Sequence, residues 1–249
     1  MNIVVAFKVV PDDQDIQVCA DGSLDFSKAH PIVSAYDLNA LEAAAQLADG
    51  GSVVAITVGA AAINDSKLKK NVLARGADEL VMVADDRCSS MDARATAAAL
   101  ADITKKVSGY DLILCGDGSA DNYAQQVDVQ LAGKLGLPVV NGVSKIVPVD
   151  GALEVDRLLE DAVESVRVPL PAVVSVSPDI ALPRIPGMKD ILAAGKKPMN
   201  VADAEGSYAS AIEVTECKAP KQAERKLEIL DASTDGAVEQ FAAALKAAL

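Results

Sequence analysis

The first 140 or so residues alternate short apolar runs with longer segments in which apolar side chains recur at helical spacing. Short apolar runs are typical of strands buried on both faces, and the spaced segments are typical of helices. Predicted strands cover Ile3–Phe7, Ser52–Val58, Glu79–Val83, Asp111–Cys115 and Pro138–Val140. Predicted helices cover Leu38–Leu47 with Asp37 as N-cap, Leu68–Ala74 closed by Gly76, a segment from a capping box at Ser89–Asp92 to about Val107, and a segment ending at Leu135. Strands separated by such helices pair in parallel through right-handed crossovers, so the pattern predicts a three-layer α/β fold.

The spacing of the apolar runs shortens after residue 143. Four close-set strands with β-branched content are predicted at Ser144–Val149, Leu153–Leu159, Ser165–Val168 and Ala172–Val176. Short turns between strands favour antiparallel pairing. The predicted fold is therefore a mostly parallel, Rossmann-like sheet with antiparallel strands added at one edge.

Prolines punctuate the next stretch, at Pro178, Pro183 and Pro186. They prevent regular structure and stiffen the loop. A short helix over Met188–Ala194 follows. An exposed methionine on a stiff loop suits adaptive contact with a partner, and a packed Met188 is the open alternative.

The chain is polar and irregular from Lys196 until a terminal amphipathic helix predicted over Asp235–Leu249. A tail of this length that ends in a single helix cannot bury a core of its own. We therefore expect an α/β domain over residues 1–199 and a C-terminal arm over residues 200–249 that packs on this domain or on another chain.

Composition narrows the classes of partner. Apolar residues make up 51 % of the chain, aromatic residues only 3 %, and the net charge is 23 − 36 = −13. Because a surface this acidic repels phosphate backbones, no nucleic-acid partner is expected. The sequence has no apolar run long enough to span a membrane and no signal-peptide pattern at its start, and its cysteines, Cys19, Cys88, Cys115 and Cys217, form no CxxC pair. These features predict reduced thiols and a cytoplasmic location.

Residues that would carry catalytic chemistry are scarce. His30 is the single histidine, and it has no serine or cysteine arrangement beside it. The scattered cysteines supply no ligand set for zinc or an iron–sulfur cluster. A hydrolytic triad and a structural metal site are therefore both disfavoured.

A polar, glycine-containing loop stands between a predicted strand and a predicted helix. Its residues are Gly116, Asp117, Gly118, Ser119, Ala120, Asp121, Asn122, Tyr123, Ala124, Gln125, Gln126 and Val127. In open α/β sheets ligands bind at the carboxyl ends of strands, where helix N-termini offer free N–H groups to a phosphate. The loop is neither GxGxxG nor a Walker A motif, so it indicates an anion site or an ordinary turn.

A second polar feature precedes the first long helix. It consists of Ser34, Ala35, Tyr36 and Asp37, and it would lie near the end of the first strand. A nucleotide base could pack beside Tyr36 there. An ordinary helix cap with a surface tyrosine is the alternative.

Several stretches together resemble the beta subunit of an electron transfer flavoprotein, over nearly the whole chain. They are FKVVPDDQDI, SAYDLNALEAA, NVLARGADEL, CGDGSADNYAQQV and LPRIPGMKDILAAGKKP, in this order. The resemblance is closest to the subgroup encoded with carnitine metabolism and nitrogen fixation. It implies a heterodimer with an alpha subunit that carries the redox FAD, and an AMP or a second FAD buried in the beta subunit.

The resemblance also implies which residues line that nucleotide pocket. They are Ala6, Ser34–Asp37, Val58 and Gly116–Val127. Tyr123 and Asp128 differ from the Asp and Gly that many members have at these positions, which leaves AMP and FAD both open.

Residues 178–197 resemble the family's recognition loop, which anchors flavin-dependent dehydrogenases. Met188 takes the place of a common leucine anchor, and Arg184 lies beside it in the predicted partner surface. The implied function is an electron carrier rather than an enzyme, with a quinone oxidoreductase as a further partner and the C-terminal arm wrapped on the alpha subunit. The alternatives are a free-standing adenine-nucleotide-binding enzyme and a stress-type nucleotide sensor.

Overall fold

A computed structural model describes residues 1–221, 225 and 227–248 of the chain. The strands, in chain order, are β1 (Ile3–Ala6), β2 (Val9–Pro11), β3 (Gln17–Val18), β4 (Leu24–Asp25), β5 (Pro31–Val33), β6 (Val53–Gly59), β7 (Glu79–Ala84), β8 (Leu112–Gly116), β9 (Val139–Val149), β10 (Ala152–Leu158), β11 (Val163–Pro169), β12 (Ala172–Val176) and β13 (Met199–Ala202). The helices are α1 (Ala35–Leu47), α2 (Ser66–Ala74), α3 (Ala93–Thr104), α4 (Val127–Leu135), α5 (Met188–Ala194) and α6 (Ala237–Ala248).

Nine of the strands in the described residues form one sheet, in the order β11-β10-β9-β12-β8-β1-β6-β7-β13. The pairs from β9 through β12, β8, β1, β6 and β7 to β13 are all parallel, and β10 pairs antiparallel with both of its neighbours. The predicted mostly parallel sheet with antiparallel strands at one edge is confirmed.

Two apolar cores lie on opposite faces of this sheet. Residues of α1, α2 and α5 pack in one core, and residues of α3 and α4 pack in the other. Along β8, Leu112 and Leu114 belong to the first core and Ile113 to the second, as the alternation of side chains along a strand requires. The predicted three-layer architecture is therefore also confirmed.

The prediction of Ala172–Val176 as an antiparallel edge strand is wrong. This segment is β12, which pairs parallel with both β8 and β9 in the interior of the sheet. All five of its residues are fully buried, as is typical of a central parallel strand covered on both faces. The short turn before it was a poor guide, because the hairpin of β10 and β11 returns the chain to the sheet without a helix.

The segments predicted as Pro138–Val140 and Ser144–Val149 form one long strand, β9. Its first part pairs with β12, and its second part pairs with β10. Gly142 has φ +65°, which an L side chain rarely adopts, so this glycine lets the strand turn from one partner to the other.

The segment after Lys196 was predicted to be irregular, and this prediction is wrong for part of it. Met199–Ala202 forms β13, which pairs parallel with β7 at the edge of the sheet. Three of its four residues are exposed, and the strand is short and has Asn200 between its apolar residues, so the strand signal in the sequence is weak.

Three helix starts differ from their predictions. Helix α1 begins at Ala35 with Ser34 as N-cap, so Asp37 is a buried first-turn residue rather than the cap. Helix α3 is capped by Asp92, whose side chain accepts a hydrogen bond from the Ala95 N–H, and it ends at Thr104 rather than near Val107. Helix α2 begins earlier, because Asp65 caps it. Aspartate is about as favourable an N-cap as serine, so more than one residue in each of these stretches could have been the N-cap.

The described chain divides into two compact units. One comprises residues 1–17 and 25–216, and the other comprises residues 18–24 and 217–249. Within the second unit Ser23 and Lys218 form a β-bridge, and α6 begins at Ala237. Leu249, the last residue of the predicted terminal helix, lies outside the described residues. The predicted division at residue 200 and the packing of an arm on a partner stay predictions.

Candidate functional site

The carboxyl ends of β1 and β8 meet the N-terminus of α1 at one edge of the sheet. Ala6 of β1 is in register with Cys115 of β8, so the segments that follow both strands leave the sheet side by side. Ser34, the N-cap of α1, accepts a hydrogen bond from the Ala120 N–H through its Oγ, at 3.3 Å. The structure therefore brings three of the predicted segments together, as expected for a ligand site in an open α/β sheet.

The Asp37 carboxylate connects these segments by hydrogen bonds to their backbone. Its Oδ2 accepts a hydrogen bond from the Lys8 N–H at 2.7 Å, and its Oδ1 accepts one from the Gly116 N–H at 3.1 Å. The residue is 6 % exposed. Burial raises the pKa of Asp37 to about 7, and the two N–H groups oppose that rise. Asp37 thus acts as a clamp between the ends of two neighbouring strands.

Gly116 is packed so closely that a side chain has no room. A Cβ at this position would lie 2.6 Å from Asp37 Oδ1 and 2.8 Å from the carbonyl carbon of Tyr36. The second of these neighbours is backbone and cannot rotate away. The glycine predicted from the sequence is therefore required by the approach of α1 to the end of β8.

The loop from Asp117 to Gln126 is tied to itself through Asp117. The hydroxyl of Tyr123 and the Nε2 of Gln125 each donate a hydrogen bond to Asp117 Oδ2, both at 3.1 Å. Tyr123 has φ +44° and Gln125 has φ +53°, in the left-handed region that non-glycine residues seldom occupy. Such strained backbone clusters at ligand sites, where surrounding contacts hold it in place.

Two tyrosine rings stand over this loop. The centroids of Tyr36 and Tyr123 are 5.1 Å apart, and the rings are inclined by 44°. A Cβ on Gly118 would lie 2.3 Å from Cδ2 of Tyr123, so the glycine passes directly beneath that ring. Tyr123 is 44 % exposed, and the pair offers an aromatic surface suited to a planar ring system.

Lys8 is a site residue that sequence reasoning missed. Its Nζ lies 2.6 Å from Asp121 Oδ2, and Ser119 Oγ donates a hydrogen bond to Asp121 Oδ1 at 2.5 Å. The loop itself contains no cation, but Lys8 follows β1 and reaches it across the sheet. Its position directly after a predicted strand next to the loop's strand was the available signal.

The remaining predicted residues lie around this centre. Val58, on β6, and Val127, the first residue of α4, pack at the edge of the core on the α3 and α4 side. Ala35, Asn122, Ala124 and Gln126 are exposed. Asp128, also noted in the sequence, is buried and accepts a hydrogen bond from Ser175 Oγ at 2.5 Å.

The predicted partner surface lies elsewhere on the chain. Met188 is 74 % exposed at the start of α5. Arg184, by contrast, turns to the body of the protein, where its Nε donates to Glu42 Oε2 at 2.6 Å. The structure therefore presents Met188 outward and engages Arg184 internally.

The chain matches a known protein family over most of its length. A family model described as the electron transfer flavoprotein domain matches residues 23–207. The matched range contains the Ser34–Asp37 turn, the loop at 116–127 and Met188. Within the described residues no group of three or more metal-ligating side chains converges, and none of the helices there has the length and apolarity needed to cross a membrane.

Proposed function

Because the chain belongs to the electron transfer flavoprotein family, we propose that it is the beta subunit of a heterodimeric carrier. In this proposal it passes electrons from flavin-dependent dehydrogenases to a downstream acceptor such as a quinone oxidoreductase, in the cytoplasm. The subgroup encoded with carnitine metabolism and nitrogen fixation is the proposed branch of the family. Family membership makes the chain an electron-transfer protein rather than a conventional enzyme.

The observation that carries the proposal is the strand-end site built around Asp37. The loop at residues 116–127 leaves the carboxyl end of β8, where ligands bind in open α/β sheets, and the Tyr36–Tyr123 pair suits an adenine ring. These features fit the adenine nucleotide that the family resemblance implies, AMP or the adenosine part of a second FAD.

The residues of this chain bind and orient in the proposed mechanism. A bound flavin supplies the redox chemistry of the complex. Asp37 fixes the backbone at Lys8 and Gly116, Lys8 provides a cation beside the loop, and the tyrosines cover the base. None of these steps requires a proton to move on this chain.

The C-terminal region is proposed as the arm that binds the alpha subunit. Eight large apolar side chains among its described residues are exposed, namely Val201, Ile212, Val214, Leu227, Ile229, Val238, Phe241 and Leu245. Exposed apolar side chains in this number are typical of a protein-binding segment. The redox FAD is then held mainly by the alpha subunit.

The bound nucleotide tests the proposal directly. The chain co-expressed with its alpha partner should purify as a heterodimer that releases an adenine nucleotide on denaturation, in addition to the alpha subunit's FAD. Release of AMP identifies the ordinary type, and a doubled FAD content identifies a second flavin. A chain that purifies alone, hydrolyses ATP or forms a homodimeric nucleotide complex would instead support an enzyme or a nucleotide sensor.

Replacing Met188 by alanine should weaken docking of the dehydrogenase about thirtyfold. Truncation of an apolar anchor typically costs about 2 kcal/mol, and this cost corresponds to that ratio. The measurement is the apparent KM for the flavoprotein complex in electron transfer from a dehydrogenase that reduces the wild type. Val163→Ala, which truncates an apolar residue of β11 that is 61 % exposed, is the matched control. Equal KM values for the two variants, at matched flavin content, would remove Met188 from the docking surface.

A further inference from the structure

We propose that Glu42 of α1 is a positioning residue for dehydrogenase docking, because it straps the recognition loop, residues 178–197, to the body of the protein through Arg184. This inference rests on the proposed docking role of that loop. It assigns Arg184 to the strap rather than to the surface that touches the partner.

The strap is a two-point ion pair. Arg184 Nε lies 2.6 Å from Glu42 Oε2, and Arg184 Nη2 lies 3.0 Å from Glu42 Oε1. The Arg184 N–H also donates to Glu42 Oε2, at 3.2 Å, so the carboxylate holds both the side chain and the backbone. The Glu42 side chain is 8 % exposed and the Arg184 side chain is 44 % exposed, so the carboxylate is shielded from water while part of the guanidinium stays in contact with it. A paired fork of this kind fixes orientation as well as distance.

A second residue of α1 holds the same loop one turn earlier. Asn39 Nδ2 donates to the carbonyl oxygens of Pro178 at 3.1 Å and Ala181 at 2.8 Å. Asn39 and Glu42 therefore lie on one face of α1 and bind the backbone of the loop at three points. Buried polar groups need hydrogen-bond partners, and the loop supplies them for the Asn39 amide and the Glu42 carboxylate.

Further ties come from α2 and its C-terminus. Arg75 Nη1 donates to the Arg184 carbonyl oxygen at 2.5 Å. Lys197 Nζ, at the other end of the loop, donates to the carbonyl oxygens of Leu73 at 2.9 Å and Ala77 at 2.6 Å. The loop is thus fastened at both ends and in the middle.

The apolar side chains between these ties point away from the body. Leu182 is 90 % exposed, Ile185 is 91 % exposed and Met188 is 74 % exposed. A loop with tethered backbone and outward apolar side chains loses little conformational freedom when a partner binds. Glu42 accordingly acts on docking through Arg184, without touching the partner.

The first experiment measures order in the loop without any dehydrogenase. Hydrogen exchange by mass spectrometry on the intact heterodimer should show amides in the recognition loop exchanging at least about tenfold faster in Glu42→Gln than in the wild type. Arg184→Lys keeps the charge but loses the fork, and it should give an intermediate rate. Glu79→Gln is the matched control, because Glu79 pairs with Asn200 Nδ2 at 2.7 Å and does not hold the loop.

The second experiment uses a flavin-dependent dehydrogenase that reduces the wild-type complex. Glu42→Gln should raise the apparent KM for the complex several-fold, up to about tenfold, while kcat and nucleotide content stay at wild-type values. A KM effect without a kcat effect separates positioning of the docking loop from general damage to the fold.

Each result decides the inference. Unchanged loop exchange in both Glu42→Gln and Arg184→Lys would overturn the strap, whether or not the loop docks a dehydrogenase. Faster loop exchange in Glu42→Gln, together with a KM that rises in Met188→Ala but not in Glu42→Gln, would overturn the inference and keep the docking function. Faster exchange with unchanged KM in both Glu42→Gln and Met188→Ala would overturn the docking function and the inference with it.

Discussion

Replacing Gly116 by alanine should lower the thermal midpoint by about 6 to 12 °C and empty the nucleotide site. The added Cβ would lie 2.8 Å from the Tyr36 carbonyl carbon and 2.6 Å from Asp37 Oδ1, so α1 and the end of β8 must separate. Overpacking of this kind costs up to about 3 kcal/mol, and each kcal/mol shifts the midpoint by about 2 to 4 °C in a chain of this size. The same shift breaks the hydrogen bond from the Gly116 N–H to Asp37 and moves the loop that follows.

Gly133→Ala is the matched control for this substitution. Gly133 is exposed on α4, and apart from the backbone of its own helix no atom lies within 4 Å of a Cβ built there. Alanine in an exposed helix interior stabilises by up to about 1 kcal/mol relative to glycine. The control should therefore melt at or above the wild-type temperature and keep its nucleotide. If Gly116→Ala retained both the midpoint and the nucleotide content, the close approach at β8 would not form part of the site.

The second large effect is a pH dependence that comes from Asp37. Its pKa is raised from 3.8 to about 7 by burial, so between these values the folded chain binds more protons than the unfolded chain. The free energy of unfolding should therefore fall as the pH rises from 4 to 7, by up to about 4 kcal/mol from this group, and then level off. Protonated Asp37 is thus the form that favours folding, and ionised Asp37 is the form that suits its two N–H donors best.

Asp37→Asn should remove this slope. Denaturant unfolding of the wild type and the variant at several pH values gives the difference, and carbon NMR of the Asp37 carboxyl gives the pKa itself. Asp65→Asn is the control, because hydrogen bonds from the Leu68 and Lys67 N–H groups lower the pKa of Asp65, so it adds no slope above pH 4. A wild-type carboxyl signal that titrates near pH 4 would contradict the assignment.

Local pattern was sufficient for the strands that cross the middle of the sheet. In β1, β6, β7 and β8 the apolar runs have the length of a buried strand, and a helix crosses over before the next strand of the nine-stranded sheet, which favours parallel pairing. The glycine-containing loop after β8 was also found in this way, because a polar turn at the end of a buried strand stands out against its neighbours. Tertiary contacts then added the reason for Gly116, which is the proximity of Tyr36.

Pairing between distant segments was outside the reach of local pattern. The sequence of β12 fits an edge strand or a central one equally well, and only its neighbours β8 and β9 determine which it is. In β13 the signal is weak, because the strand has only four residues with Asn200 among them, and its pairing with β7 joins distant segments of the chain.

The residues that build the two functional surfaces divide in the same way. The sequence by itself determined the α/β class, the strand-end loop, the Tyr36 turn and the proline-stiffened segment with Met188, because each depends on periodicity or on turn chemistry within a few residues. Only the tertiary structure decided that Asp37 is a buried clamp, that Lys8 reaches Asp121 and that Glu42 holds Arg184. These contacts join residues 29 to 142 positions apart, and burial and charge pairing arise from such contacts rather than from any local pattern.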